Sequence, residues 1–328
     1  MRTPLVGLIT IVTLMGCDAA HSQARISPSG EFSVHRIAGD VYMLDKGTSN
    51  SDGGSNIAVL VGSDGLVLVD AKEQPWHQMV LAALKKISNK PVRYLIDTHC
   101  HGDHTSGSAA FQQEGATVIA HRNVRERLEA AQSYCSPHPG TGLPTVTFDS
   151  ELTLYIDDEE VRIIKLPAGH TDGDAMVYFK KANVVETGDA FIGVGFVASA
   201  LPGPSRTEGG NMVGVIDALR KIVELIPADA KVIPGHGAQA SMSDVRRSLQ
   251  VLEGMKNAIQ RQISAGKTLD EIQKMDVLSP WKDSYGEPCD YSRGSCDHQD
   301  ERSFVRGFYD ALTARAAADA NHNQTRVH

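Results

Sequence analysis

The 328-residue chain lacks an excess of positive charge: 32 lysines and arginines stand against 40 acids, a net −8 at pH 7. A protein whose main business is gripping nucleic-acid phosphates needs a basic surface, so no nucleic-acid partner is expected. None of the five cysteines (Cys17, Cys100, Cys135, Cys289 and Cys296) forms a Cys-x-x-Cys pair, which excludes a structural zinc ribbon. No local sequence repeat is visible. The apolar run from Leu5 to Leu14 is too short for a membrane-spanning helix of about 20 residues. What is present is ordinary globular material. Hydrophobic residues make up 41% and charged residues 22%, enough for a sizeable core and against global disorder. The length suits one large domain or two ordinary ones.

The first residues read as an export signal rather than as part of the fold. Met1, Arg2 and Thr3 precede the apolar run, and Leu14-Met15-Gly16-Cys17 resembles a bacterial lipobox, in which the cysteine is lipidated after cleavage. The other route is an ordinary secretory cut near Ala20 that leaves a free enzyme. Either way the protein is expected outside the inner membrane, in the periplasm, with lipidated Cys17 as a membrane tether in the first case. Loss of residues 1–16 removes Arg2 and no acid, taking the charge from −8 to −9. Export permits disulfides. Cys289 and Cys296 close a short loop and are the expected pair. Cys100 is expected to be a small buried residue without a bond, because a bonded cysteine inside the motif described below would distort its neighbours.

The expected organisation is a signal segment at 1–17, a tether at 18–30, a main domain at 31–245 and a helical C-terminal extension at 246–328. Short β-branched runs at Ile57–Val61 and Leu66–Val69 flank the turn Gly62-Ser63-Asp64-Gly65 and read as a hairpin. Trp76, Met79, Val80, Ala83, Leu84 and Ile87 fall on one helical stripe, and Val92–Ile96 reads as a buried strand. The second half shows strands at Leu152–Ile156, Val161–Leu166, Met176–Phe179, Val184–Val185 and Val232–Ile233. A helix over Met212–Ile226 has Asn211 as a plausible N-cap. Helices follow at 243–265 and 301–317, with a polar, frayed end over Asn321–His328. Between them the stretch Trp281–Asp300 reads as a loop that either borders an active site or is a surface excursion. Strand, helix, strand order implies sheet layers covered by helices.

Chemistry concentrates in Asp97-Thr98-His99-Cys100-His101-Gly102-Asp103-His104. Three histidines and an acid within six residues, directly after an apolar strand, make a set of nitrogen and oxygen donors suited to zinc. His99 and His101 are two apart and point the same way, while Gly102 lets the chain curl so that Asp103 and His104 reach a second position. His170, Asp189 and His236 each sit in a glycine-containing loop at the end of an apolar strand, where catalytic groups are commonly mounted. The remaining histidines (His21, His35, His77, His121, His138, His298, His322 and His328) read as solvated or core polar groups. His121 follows the strand at Val118.

His-x-His-x-Asp-His, then Gly-His-Thr, then Gly-Asp, then Gly-His-Gly resembles the pattern of the metallo-β-lactamase superfamily, in order and rough spacing over residues 32–240. The resemblance implies an α/β fold, a four-layer αββα sandwich with the metals at one edge and a C-terminal helical extension. It implies that His99, His101 and His170 hold one Zn2+, that Asp103, His104 and His236 hold a second, and that Asp189 bridges them. It makes Asp70, at the end of Gly-Leu-Val-Leu-Val-Asp, a structural residue. A pair of ions about 3.5–4 Å apart lowers the pKa of a shared water and polarises a carbonyl, so the implied activity is attack of a bridging hydroxide on a small-molecule substrate. Asp103 is then the catalytic proton shuttle. His at position 101, where the superfamily's di-iron members carry an acid, favours zinc hydrolysis over redox work. Asp189, where true lactamases of the superfamily carry Cys or Ser, is the pattern of its thioesterases and lactonases. A β-lactamase-like hydrolase of cyclic amides or esters, a thioesterase or lactonase, and a non-enzymatic binding lipoprotein are the readings carried forward.

Overall fold

The computed structural model describes residues 30–46, 55–130, 134–135, 141–193, 201–284 and 301–325. The expected signal, tether and Cys17, and the Cys289–Cys296 pair with most of its loop, lie outside the described residues. Two sheets carry the architecture. The first holds β1 (Ser33–Ala38), β2 (Val41–Asp45), β3 (Ile57–Val61), β4 (Leu66–Val69), β5 (Val92–Asp97), β6 (Thr117–His121) and β7 (Val146–Phe148), paired in sequence order. The second holds β8 (Glu151–Ile156), β9 (Glu159–Lys165), β10 (Ala175–Phe179), β11 (Val184–Glu186), β12 (Lys231–Ile233) and β13 (Ala240–Ser241), also in order.

The central strands are apolar on both faces because both faces are covered, whereas the edge strands β1, β7 and β8 are partly exposed. Ala58 and Leu60, Val67 and Val69, Ile96 and Ile119 point inward and meet Val161, Ile163, Ala175, Val177 and Phe179 of the other sheet. The intervening residues Ile57, Val59, Leu66, Leu68 and Leu95 point outward and pack with Trp76, Val80, Leu84 and Phe111, which belong to α1 (His77–Lys85), α3 (Ser108–Gln113) and the turn before α1. On the far side Met176, Tyr178 and Val185 pack against α5 (Met212–Leu225), through Val215, Ile216, Leu219 and Ile222. Each such side chain contributes roughly 1.5–3 kcal/mol on leaving water. The result is the expected helix–sheet–sheet–helix sandwich.

Asn211 caps α5 as expected, its side chain accepting from Gly214 N at 2.8 Å. Three further helices, α6 (Met242–Ser264), α7 (Leu269–Ile272) and α8 (Glu301–Thr325), lie beyond it. Their Leu252, Met255, Ile259, Ile272, Phe304 and Phe308 share one core with α5, and α6 runs unbroken through residue 245. The last helix continues to Thr325, into the segment expected to fray. Among the described residues no helix is long and apolar enough to cross a membrane.

One expectation fails. Cys100 is bonded to Cys135. In the loop after β5 the side chains alternate, so His99 and His101 face one way and Cys100 the other. Cys100 points into a small apolar cluster of Ala120, Val124, Leu128 and Cys135, the latter helix residues coming from α4 (Arg122–Ala130). The bond therefore ties the loop from behind and does not intrude on the histidines.

Candidate metal centre

Topology decides where the polar residues meet. In the first sheet β4 and β5 run parallel and deliver, at their C-terminal ends, Asp70 and a turn with His99 and His101 that leads into the one-turn helix α2 (Gly102–Thr105), which carries Asp103 and His104. In the second, β9 and β11 are each antiparallel to β10, and β12 is parallel to β11. All three thus end at one edge, and the residues after them are His170, Asp189 and His236. The two edges are sewn together: Asn56 N donates to Gly235 O at 2.7 Å, Ala175 N to Thr98 O at 2.9 Å, and Asn56 Nδ2 to Pro234 O and Gly237 O at 2.8 and 2.9 Å. Gly235 is required by space, because a Cβ there would lie 2.1 Å from Asp189 Oδ1.

All seven expected residues come together in two groups of donor atoms, His99, His101, His170 and Asp189 in one and Asp103, His104 and His236 in the other. Asp189 lies between the groups. Its Oδ2 is 3.4 Å from His170 Nε2 and 3.9 Å from His99 Nε2. Its Oδ1 is 3.3 Å from His236 Nε2 and 3.4 Å from His104 Nε2. Asp103 Oδ2 lies 3.2 and 3.4 Å from the same two nitrogens. In the other group His101 Nδ1 and His170 Nε2 approach to 3.0 Å.

Surrounding groups aim the rings. Asp70, fully buried, accepts from Thr98 N and Oγ1 at 2.8 and 2.9 Å and holds His104 Nδ1 at 2.6 Å; its expected structural role is to orient His104. His170 Nδ1 lies 2.7 Å from Gly203 O, and Asp174 accepts from His170 N and Thr171 N at 2.8 Å each. His99 Nδ1 is 3.1 Å from Thr98 Oγ1.

The electrostatics divide along the same line. Burial pushes His99 well below the usual imidazole range, and burial followed by His170 lowers His101 to about 4. Burial also opposes charge on His236 and His104. Asp189 and Asp103 outweigh it at His236, raising that ring to about 9, and Asp103, Asp189 and Asp70 outweigh it at His104, which lies well above its ordinary value. Burial would raise Asp103 and Asp189, yet His104 and His236 together hold both carboxyls well below the usual range.

The donor set fits a metal. Imidazole nitrogens and carboxylate oxygens suit zinc, and His99 Nε2 is buried with no hydrogen-bond partner among the described residues. An unpartnered buried nitrogen costs free energy that coordination relieves. The histidines set aside as non-ligands that fall in the described residues lie elsewhere. His121 takes Asn123 N on Nδ1 at 3.1 Å and donates from Nε2 to Asp149 O at 3.0 Å, His77 pairs with Glu114, and His35 with Asp45. Missed in the sequence were Asn56 and Asp174, which support the site from loops, and Glu208, whose buried carboxylate lies 3.9 Å from His101 Nε2. Asp174 stands four residues after His170, a spacing that could have marked it as a loop-closing carboxylate.

Helix-covered paired sheets with a His/Asp cluster at one edge define a metal-dependent hydrolase architecture. The chain belongs to the metallo-beta-lactamase superfamily, whose family model matches residues 50–236. Its homologues there are metal-dependent hydrolases. The chain is similar to a hydroxyacylglutathione hydrolase of Chelativorans sp., at 28% identity over 185 residues, 56% of this chain and 61% of that protein; it thus spans less than two-thirds of this relative. It is similar to metallo-beta-lactamase IND-1 of Chryseobacterium indologenes, at 24% identity over 207 residues, 60% of this chain and 78% of that protein. Among solved structures, a metallo-beta-lactamase from Pontibacter korlensis shares the fold with a TM-score of 0.57 at 21% identity, covering 68% of this chain and 99% of that one.

Proposed function

We propose that this protein is a zinc-dependent hydrolase of small cyclic amides or esters, with His99, His101 and His170 holding one ion, Asp103, His104 and His236 a second, and Asp189 shared. Bound there, zinc supplies Lewis-acid polarisation of a carbonyl and lowers the pKa of water. The observation that carries the reading is Asp189, whose two oxygens face two different histidine pairs at 3.3–3.9 Å. Asp103 is the base. Its side chain is 31% exposed against 8% for Asp189, so of the two it is the acid open to a reactant, and His104 and His236 keep it ionised. It takes the proton of the attacking water and returns it to the leaving nitrogen or oxygen.

A thioesterase or lactonase is the second reading, favoured by a carboxylate rather than a thiol at position 189 and by the hydroxyacylglutathione hydrolase among the relatives. The test is a screen of zinc-loaded protein against nitrocefin, lactones and thioesters. The first reading expects lactam turnover, with or without lactones, reduced by about 10²–10⁴-fold in Asp103→Asn. Turnover of thioesters or lactones with none of lactams selects the second reading, and no turnover by a protein that binds zinc leaves a binding protein. A loss of less than tenfold in Asp103→Asn removes that residue from the chemistry. Export with a lipid on Cys17 rests on Leu14-Met15-Gly16-Cys17; membrane fractionation unchanged by Cys17→Ser would defeat the anchor.

A further inference from the structure

Three of the site histidines have the ring nitrogen that faces away from the cluster held by a fixed partner: His104 by Asp70, His170 by Gly203 O and His99 by Thr98 Oγ1. His101 is turned the other way. Its Nδ1 faces the cluster, 3.0 Å from His170 Nε2, and its Nε2 points outward. That Nε2 is buried with no hydrogen-bond partner among the described residues. The acid it faces is Glu208, whose Oε2 lies 3.9 Å away and whose surface is 1% exposed.

Glu208 sits on a segment already committed to this side of the site. Gly203 O takes His170 Nδ1, Ser205 N donates to His170 O at 2.8 Å, and Asp172 N donates to Glu208 O at 2.9 Å. The carboxylate is aimed by Ser205 Oγ and by Thr207 Oγ1, the latter at 2.6 Å, both on Oε2. At 3.9 Å the carboxylate and the neutral His101 ring are not hydrogen-bonded; closing the gap takes a shift of about 1 Å. A carboxylate buried this far is costly unless charge or donors surround it, and the His101 N–H is a donor beside it.

We infer that Glu208 is a positioning residue for His101. It accepts the Nε2 proton and so fixes the tautomer in which Nδ1 is the bare donor toward the cluster, the task Asp70 performs for His104. The inference rests on the zinc reading above. Outer partners of this kind are worth about 10–100-fold in metal affinity.

Glu208→Gln tests it. The glutamine oxygen in the place of Oε2 still accepts from Ser205 and Thr207 but is uncharged, so it is a weaker acceptor for the His101 Nε2 proton and no longer fixes the tautomer. Zinc titration against a competing chelator is expected to show about 10–100-fold weaker binding of one ion in the variant, with unchanged melting of the metal-free protein. In zinc-loaded wild type, nitrogen-15 NMR should place the His101 proton on Nε2, a readout that does not depend on the variant folding. Equal zinc affinity in Glu208→Gln, or a proton on Nδ1, overturns this inference while leaving the metal reading intact. A wild type that binds no zinc overturns both.

Discussion

The two donor groups of the site are made ready for a cation in opposite ways. Around His104 and His236 stand Asp70, Asp103 and Asp189, and in the chain by itself the rings answer those carboxylates by holding protons. Around His99 and His101 burial dominates, and the rings are neutral. His99 and His101 thus offer bare nitrogens at neutral pH, while His104 and His236 exchange protons for a metal ion, since ligands must be deprotonated to bind. One cluster therefore contains a preformed half and a half whose affinity is tied to pH.

Four experiments break or sharpen that contrast. Asp189→Ala removes the carboxylate shared by both groups. The loss in zinc affinity should appear in both halves and exceed the roughly hundredfold upper figure for an outer partner; loss confined to one ion would show that Asp189 is not shared. Cys135→Ala comes next. It opens a disulfide of sequence separation 35, worth about 3–4 kcal/mol at most. Because Cys100 stands between His99 and His101, thermal unfolding should drop and the preformed half should lose zinc first. Melting equal to wild type under oxidising conditions would remove the bond from the argument.

Asp70→Asn replaces an acid that accepts three hydrogen bonds and should weaken zinc about 10–100-fold in the His104 group alone. Equal weakening of both ions would mean the halves are not separately supported. The smallest effect is the pH dependence of the metal-free protein. His236, raised from 6.5 to about 9 in the folded chain, contributes stability that is complete below pH 6.5 and is lost as the pH climbs through 9. His101, lowered from 6.5 to about 4, binds its proton more weakly folded than unfolded, so stability falls as the pH drops from 6.5 toward 4. Melting temperatures of chelator-treated protein should decline on both sides of that value. His236→Gln should flatten the alkaline limb only; a limb that persists unchanged assigns it to other groups.

Much of this site was legible in the sequence because its signals are local. His99, His101, Asp103 and His104 lie within six residues, and period-two alternation at the start of that stretch already places His99 and His101 on one side. Apolar runs such as Ile57–Val61 and Met176–Phe179 mark strands buried on two faces, and the glycine loops after strand ends flagged His170, Asp189 and His236. Other features waited for the tertiary structure. The mostly polar helix α4 and the three-residue β7 carry too little pattern to stand out. Cys100 looked unbonded because its neighbours are ligands; only the packing of α4 behind the loop brings Cys135 to it, 35 residues away. No local pattern marks Glu208, between Thr207 and Gly209, and it is buried because the 203–208 segment folds over His170. The residues that could bind metal were set by residue type at short range. The groups that orient them were set by long-range folding, because a second partner for a ring nitrogen is supplied by whichever loop the packing brings within about 3 Å.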